Sequence, residues 1–144
     1  MISSLLNDRM GAAQHALPAV HLELPFDDLY GEPVSIRQAL ANLLDNAIKF
    51  SRHRTHPEIW IDGSQNDAVR IVRIRDNGIG FDVAQTEKIF GLFERLHGPH
   101  EYEGTGVGLS IVRLVMDKHG GRITVESAPE QGSTFSLVFP QGES

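Results

Sequence analysis

The chain has 144 residues, 40% of them apolar and 7% aromatic, which is enough for one domain with a real core and too little for two. It contains no cysteine, which excludes a disulfide framework, thiolate metal sites and cysteine nucleophiles, and its formal net charge of -6 argues against a broad nucleic-acid footprint. No apolar run reaches membrane-spanning length and no signal peptide is visible, so the expected setting is cytoplasmic, without direct membrane insertion.

Residues 1 to 18 carry Leu5 and Leu6 ahead of NDRMGAAQ and read as the end of a linker helix closed by Pro18. AVHLEL at 19–24 alternates apolar and polar residues and reads as a strand. PFDDLYGEP is a connecting turn, and Pro33 suits the first turn of a helix. That helix is predicted over 34–51, VSIRQALANLLDNAIKFS, with Ile36, Leu40, Leu43, Leu44, Ala47 and Ile48 recurring at helical spacing as one apolar face. RHRTHP is polar loop. EIWID at 58–62 and AVRIVRIR at 68–75, separated by turn residues Gly63 to Asp67, read as an antiparallel hairpin. DNGIGFD at 76–82 places two glycines directly after a strand and marks a tight turn.

A short helical piece is expected around 86–92, and HGPHEYEGTGVG at 97–108 should be mobile. A second amphipathic helix is predicted from about 107 to 119, with Leu109, Val112, Val115 and Met116 as its stripe and Gly120 and Gly121 as its stop. ITVES and TFSLVF are strands around the turn PEQGS, and 141–144 is a tail. The expectation is an α+β two-layer sandwich over 19–140, with a mixed, mostly antiparallel five-stranded sheet and about three helices on one face.

The first helix has a second periodic face, made of Gln38, Asn42, Asp45, Asn46 and Lys49. A solvated face would be rich in Glu and Lys, and Asn is a poor helix former. An amide oxygen and an ammonium suit a metal ion and phosphates; a core helix with a polar back is the plain alternative. Three further stretches interrupt the apolar elements: DNGIGF at 76–81, GTGVGLS at 104–110 and GSTF at 132–135. Asp76 ends a strand, where a carboxylate can be held at the floor of a pocket, or where a plain DNG turn can sit. Gly104, Gly106 and Gly108 lead into a helix start, whose backbone N–H groups favour phosphate. A dinucleotide fingerprint would need a strand immediately before it and a glycine where Leu109 stands, and no GxxxxGK[ST] is present. GST also reads as an ordinary β-turn. His53 with His56, and His97 with His100, have H-x-x-H spacing without a suitable third ligand nearby, which argues against zinc.

Together NLLDNAIKF, DNGIGF, GTGVGLS and GSTF, in this order and rough spacing, resemble the ATP-binding catalytic domain of sensor histidine kinases, within the superfamily shared with DNA gyrase and heat-shock chaperone ATPases. The resemblance covers about 20 to 140, and FERLHGPHEYEGTGVGLSIV is similar to the lid of kinases attached to phytochromes. It implies a Bergerat-type fold that takes ATP and Mg2+. Asn46 is then the magnesium ligand, Asn42 supports metal-bound waters and phosphates, and Lys49 reaches a phosphate. Asp76 accepts a hydrogen bond from the adenine amino group, and Gly78 and Gly80 let the backbone approach the base. A carboxylate cannot donate, so guanine's carbonyl is rejected there. The lid runs from about Phe90 to Thr105, with Phe90 and Phe93 as hinge hydrophobes and Arg95 either reaching a phosphate on closure or remaining solvated. Gly104, Thr105, Gly106, Val107, Gly108 and Leu109 form the phosphate cradle, and Thr134 lies beneath the adenine. Phe50 is either near the purine or part of the core.

Hydrolytic cousins place a Glu where Asn42 stands, and a neutral amide cannot take a proton from water, which favours phosphoryl transfer over an ATP-driven clamp. No histidine here lies in the family's phosphoacceptor motif. The implied partner is therefore the helical dimerisation and phosphoacceptor domain of a parent kinase, with a response regulator further along, and no nucleic acid. The start at Met1, within what reads as a linker helix, is expected to reflect excision from a longer kinase, a stand-alone catalytic unit being the alternative. An anti-sigma-type serine kinase and a nucleotide-dependent binding module without phosphotransfer are the rival readings.

Overall fold

The computed structural model describes residues 5, 18–26, 29, 31–51, 54–80 and 105–141, the side chains of 105–108 excepted. In chain order the elements are β1 (Ala19–Glu23), α1 (Pro33–Ser51), β2 (Glu58–Gln65), β3 (Val69–Asp76), α2 (Thr105–Lys118), β4 (Arg122–Ser127) and β5 (Ser133–Pro140). The strands form one sheet in the order β1-β2-β3-β5-β4. β1 runs parallel to β2 and every other pairing is antiparallel, so the sheet is mixed. The parallel pair needs a crossover, and α1 supplies it. The two helices described match the expected two-layer design. The third helical piece expected, around 86–92, lies outside the described residues, as do all of 81–104.

Register explains which residues meet. One face of the sheet carries Ile61, Ile74, Phe135 and Val125 in a single row, and Val72, Leu137 and Ile123 in the next. These pack against Ile36, Leu40, Leu43, Leu44 and Ala47 of α1 and Leu109, Val112, Val115 and Met116 of α2 in one core. Fully burying each such side chain contributes about 1.5–3 kcal/mol. Leu5, the one residue described before Pro18, is buried in that same core. The hairpin is longer than expected: β2 continues through Gly63 to Gln65, and Asn66 makes the turn by accepting from the Ala68 and Val69 amides at 2.7 and 2.9 Å.

The helix ends are tied to each other. Glu32 precedes α1 and its carboxylate accepts from the Val34 and Ser35 amides at 3.1 and 2.8 Å, meeting donors that a helix start leaves open. The Glu32 amide in turn donates to Nε2 of His119, just past α2, at 2.9 Å. This contact sets the end of α2 against the start of α1. The two helices pack on one another, so α2 begins toward the far end of α1, where Asn46 and Phe50 stand.

Candidate functional site

The polar ends of three segments converge beyond the apolar rows. Asp76 closes β3 on the helix-facing side, in register with Ile59 on one side and Ser133 on the other. It is 3% exposed. One carboxylate oxygen accepts from the Gly78 amide at 2.8 Å. Burial pushes its pKa up to about 6, against the opposing pull of the Gly78 and Ser133 amides. A carboxylate held this way, without a cationic partner among the causes of its shift, suits a neutral hydrogen-bond donor better than a counter-ion.

The glycines of DNGIG are required by close backbone contacts. A Cβ on Gly78 would run into the Phe50 carbonyl at the end of α1 and approach the Asp76 carboxylate at 2.7 Å. Gly80, at φ 64°, would drive a Cβ into the Ala128 carbonyl of the β4–β5 turn. These two glycines let the 77–80 turn lie flat against the helix end and against its neighbouring turn. They therefore bring α1, Asp76 and the β5 start together.

Asn46 lies one helical turn before Phe50, on the side of α1 that reaches this junction. It is 6% exposed and its Nδ2 has no hydrogen-bond partner among the described residues. A buried amide end left unmet costs about 1–3 kcal/mol. Because a side-chain amide can turn over, the same position can offer the oxygen that a hard cation needs. Among the described residues no group of three His, Cys, Asp or Glu side chains could hold a metal, so a cation here would rely on Asn46 together with phosphate and water oxygens. The residues present thus fit magnesium in a nucleotide site. Asn42 and Lys49, half-buried, lie a turn before Asn46 and nearly a turn after it.

Thr105, Gly106, Val107 and Gly108 are the first turn of α2, which starts two residues earlier than expected. Their backbone amides are the ones a helix leaves without intrahelical acceptors. Leu109 is 1% exposed and belongs to the core, so its side chain serves packing rather than a ligand. Phe50 is buried as well. Phe90, Phe93, Arg95 and Gly104 lie outside the described residues.

Thr134 is not at the junction. It pairs with Arg75 and Glu126, on the sheet face turned away from the helices. The hydroxyl that stands beside Asp76 is Ser133, 3% exposed, whose Oγ lies 2.8 Å from that of Ser127. Ser127 also donates to the Gly132 carbonyl at 2.9 Å, which leaves Ser133 as the donor between the two hydroxyls. The sequence carried this signal: Phe135, Leu137 and Phe139 face inward, and Ser133 has their parity.

Sequence reading also missed Arg54, in a run taken as plain polar loop. Its guanidinium donates to the carbonyls of Asn77, Gly78 and Glu130 at 2.7, 2.9 and 2.9 Å. Asn77 completes the brace, accepting from the Glu58 amide and donating to the His56 carbonyl, each at 2.9 Å.

Residues 31–143 match the family described as histidine kinase-, DNA gyrase B- and HSP90-like ATPases. The methanogenesis regulatory histidine kinase FilI of Methanothrix harundinacea is 44% identical over 73% of this chain, which spans 12% of that relative. The phytochrome-like protein Cph1 of Synechocystis is 40% identical over 77% of this chain, which spans 15% of it. Among solved structures, the catalytic domain of histidine kinase ThkA in a nucleotide-free form superposes with a TM-score of 0.76 at 26% identity, covering 97% of this chain and 88% of that one. The chain belongs to the histidine kinase-, DNA gyrase B- and HSP90-like ATPase family, as an ATP-binding domain akin to those of sensor histidine kinases and phytochromes.

Proposed function

We propose that this chain binds Mg-ATP between α1, the 77–80 turn and the start of α2, and serves as the catalytic domain of a two-component sensor histidine kinase, transferring the γ-phosphate to a histidine on a separate helical domain. The observation that carries the reading is the buried Asp76 carboxylate, held by amides alone, beside the end of a helix whose buried Asn46 has an Nδ2 without a partner among the described residues. The Asp76 carboxylate has amide donors but no cation to offset its buried charge, the Asn46 Nδ2 has no partner among the described residues, and adenine's amino group and a magnesium ion are the two ligands of the right chemistry for such a pair.

Each residue then has a part. Asp76 accepts from the adenine amino group and selects against guanine, with the Ser133 hydroxyl beside it. Asn46 offers the metal its side-chain oxygen, Asn42 steadies waters and phosphates, and Lys49 places its ammonium on a phosphate. Magnesium, when bound, supplies positive charge to the phosphate oxygens. The amides of Thr105, Gly106, Val107 and Gly108 hold the polyphosphate tail at the start of α2. Phe90, Phe93, Arg95 and Gly104 belong to the proposed lid. Catalysis on this scheme is positioning and electrostatics, with the nucleophile brought by the partner domain. Asn42 provides no general base for water, so hydrolysis by the chain alone stays slow.

The test is a labelling assay with γ-labelled ATP and magnesium. The isolated chain should remain unlabelled, and a dimeric helical hairpin from a parent kinase should acquire acid-labile, base-stable phosphate. Asn46→Ala should abolish that label and weaken ATP binding chiefly when magnesium is present. Self-labelling of the chain, or rapid turnover without a partner, would overturn the reading.

A further inference from the structure

Arg54 stands outside every motif that the site uses, yet it joins the two turns next to Asp76, the 77–80 turn and the β4–β5 turn. Its Nε donates to the Asn77 carbonyl at 2.7 Å, and its Nη2 donates to the Gly78 and Glu130 carbonyls at 2.9 Å each. The Glu130 carboxylate lies 3.4 Å from the same nitrogen. The first of these contacts has a particular consequence. The Asn77 carbonyl and the Gly78 amide belong to one peptide unit, which is trans, so the two groups point in opposite directions. On one side of this plate the guanidinium grips the oxygen; on the other the N–H donates to the Asp76 carboxylate at 2.8 Å.

We propose that Arg54 is a positioning residue for the base-binding carboxylate, acting through the 77–78 peptide to aim and polarise the amide that keeps Asp76 ionised and correctly turned. The inference rests on the reading of Asp76 as the purine acceptor. It adds a residue to that site which lies 22 positions earlier in the chain and makes no contact with the carboxylate itself. A cation bonded to a carbonyl strengthens the N–H of the same amide as a donor, because the peptide is a polarisable dipole and hydrogen bonds in series reinforce one another. Two further carbonyls fix the guanidinium so that it cannot swing away, a task for a planar fork with several donors and not for an ammonium.

The charged groups on the elements around Asp76 are Arg37, Asp45 and Lys49 of α1, Glu58 and Asp62 of β2, Arg70, Arg73 and Arg75 of β3, Arg113, Asp117 and Lys118 of α2, Arg122 and Glu126 of β4, Arg54, and Glu130 of the β4–β5 turn. None of them is among the causes that set the carboxyl's titration; burial raises it, and the amides of Gly78 and Ser133 lower it. The lever on this group is therefore the quality of its amide donors, and Arg54 governs one of the two. The Glu130 carboxylate is mostly exposed, so its pairing with Arg54 is a minor part of the device.

The experiment follows the Asp76 carboxyl by carbon-13 NMR through a pH titration of the whole chain without nucleotide, and Mg-ADP affinity by calorimetry from about pH 5.5 to pH 8.5. Wild type is compared with Arg54→Gln, which keeps a donor and loses the charge, and Arg54→Lys, which keeps the charge and loses the fork. The Asp76 midpoint should rise by about half a unit or more in Arg54→Gln and by less in Arg54→Lys. Mg-ADP binding near pH 5.5 should weaken about three- to eightfold in Arg54→Gln and recover toward wild type as pH rises. A midpoint unchanged in a folded variant, or an affinity loss equal at every pH, would overturn the proposal and leave Arg54 a brace. Failure of both variants to fold would overturn it equally. The midpoint is read without nucleotide, so it decides the role of Arg54 even if wild type bound no Mg-ADP, an outcome that would instead overturn the site reading.

Discussion

At one end of the sheet the two faces carry opposite solutions to the same problem of placing charge. The helix-facing side holds Asp76 and Ser133, each 3% exposed, with the carboxylate served by amides alone. One residue away, the outward side holds Trp60 between His21, stacked at 5.6 Å, and Arg75, whose guanidinium lies 4.2 Å from the indole. Near them Arg73 and Asp62 meet at 2.7 Å, both partly exposed. The outward charges have partners and water, so losing one changes little. The inward charge has only backbone amides and little water, so it is costly to keep and valuable to a ligand that can meet it. Strand parity alone separates the two, since alternate side chains leave opposite faces.

The largest break in this contrast is Asp76→Asn. It should reduce ADP affinity about ten- to a hundredfold, the 1.5–3 kcal/mol of a charge-assisted bond, while the folded protein at pH 8 becomes no less stable. Calorimetry and denaturant melts on the same sample check both halves. The second effect is on stability and has a definite sign. Asp76 moves from 3.8 to about 6 on folding, so the native state holds its proton more tightly than the unfolded chain. Its contribution is then fully present below about pH 4 and is lost as pH rises through about 6, a difference of about 3 kcal/mol. Subtracting the melts of Asp76→Asn from those of wild type between pH 4 and 7.5 isolates this slope; a flat difference would mean the carboxyl is not strained by burial.

Ser133→Ala against Thr134→Ala sharpens the comparison at adjacent positions. Ser133→Ala removes the Ser127 hydroxyl's neighbour and should cost about 1 kcal/mol of stability together with some nucleotide affinity. Thr134→Ala should stay within about 0.5 kcal/mol and leave affinity unchanged. The smallest effect belongs to the outward pair: a double-mutant cycle on Arg73 and Asp62 should give a coupling of about 0.5 kcal/mol or less.

What the sequence disclosed follows the same division. Asp76, Asn46, Gly78 and Gly80 stood out because polar and glycine-rich boxes interrupted strong periodic elements in a recognisable order. The sheet and α1 were legible from alternation and from the 3.6-residue stripe. Thr134 was preferred to Ser133 by motif position, when the parity of Phe135, Leu137 and Phe139 pointed the other way. At Gly78 and Gly80 the structure adds a packing requirement that the sequence did not announce, backbone meeting backbone. Arg54 was invisible for a physical reason. Its three acceptors lie 23, 24 and 76 positions away, and nothing in RHRTHP announces a tertiary partner. The parallel pairing of β1 likewise depends on the α1 crossover and not on any local signal.

The central claim is that a buried carboxylate selects the nucleotide base. Calorimetric titration of ADP and GDP, with magnesium, into the wild-type chain at pH 5 and pH 7.5 tests it most directly. The account predicts that ADP binds at pH 7.5, weakens about tenfold at pH 5 as Asp76 takes up a proton, and outcompetes GDP at least tenfold at the higher pH. Equal affinity for the two bases, or ADP binding that ignores this pH step, would contradict it.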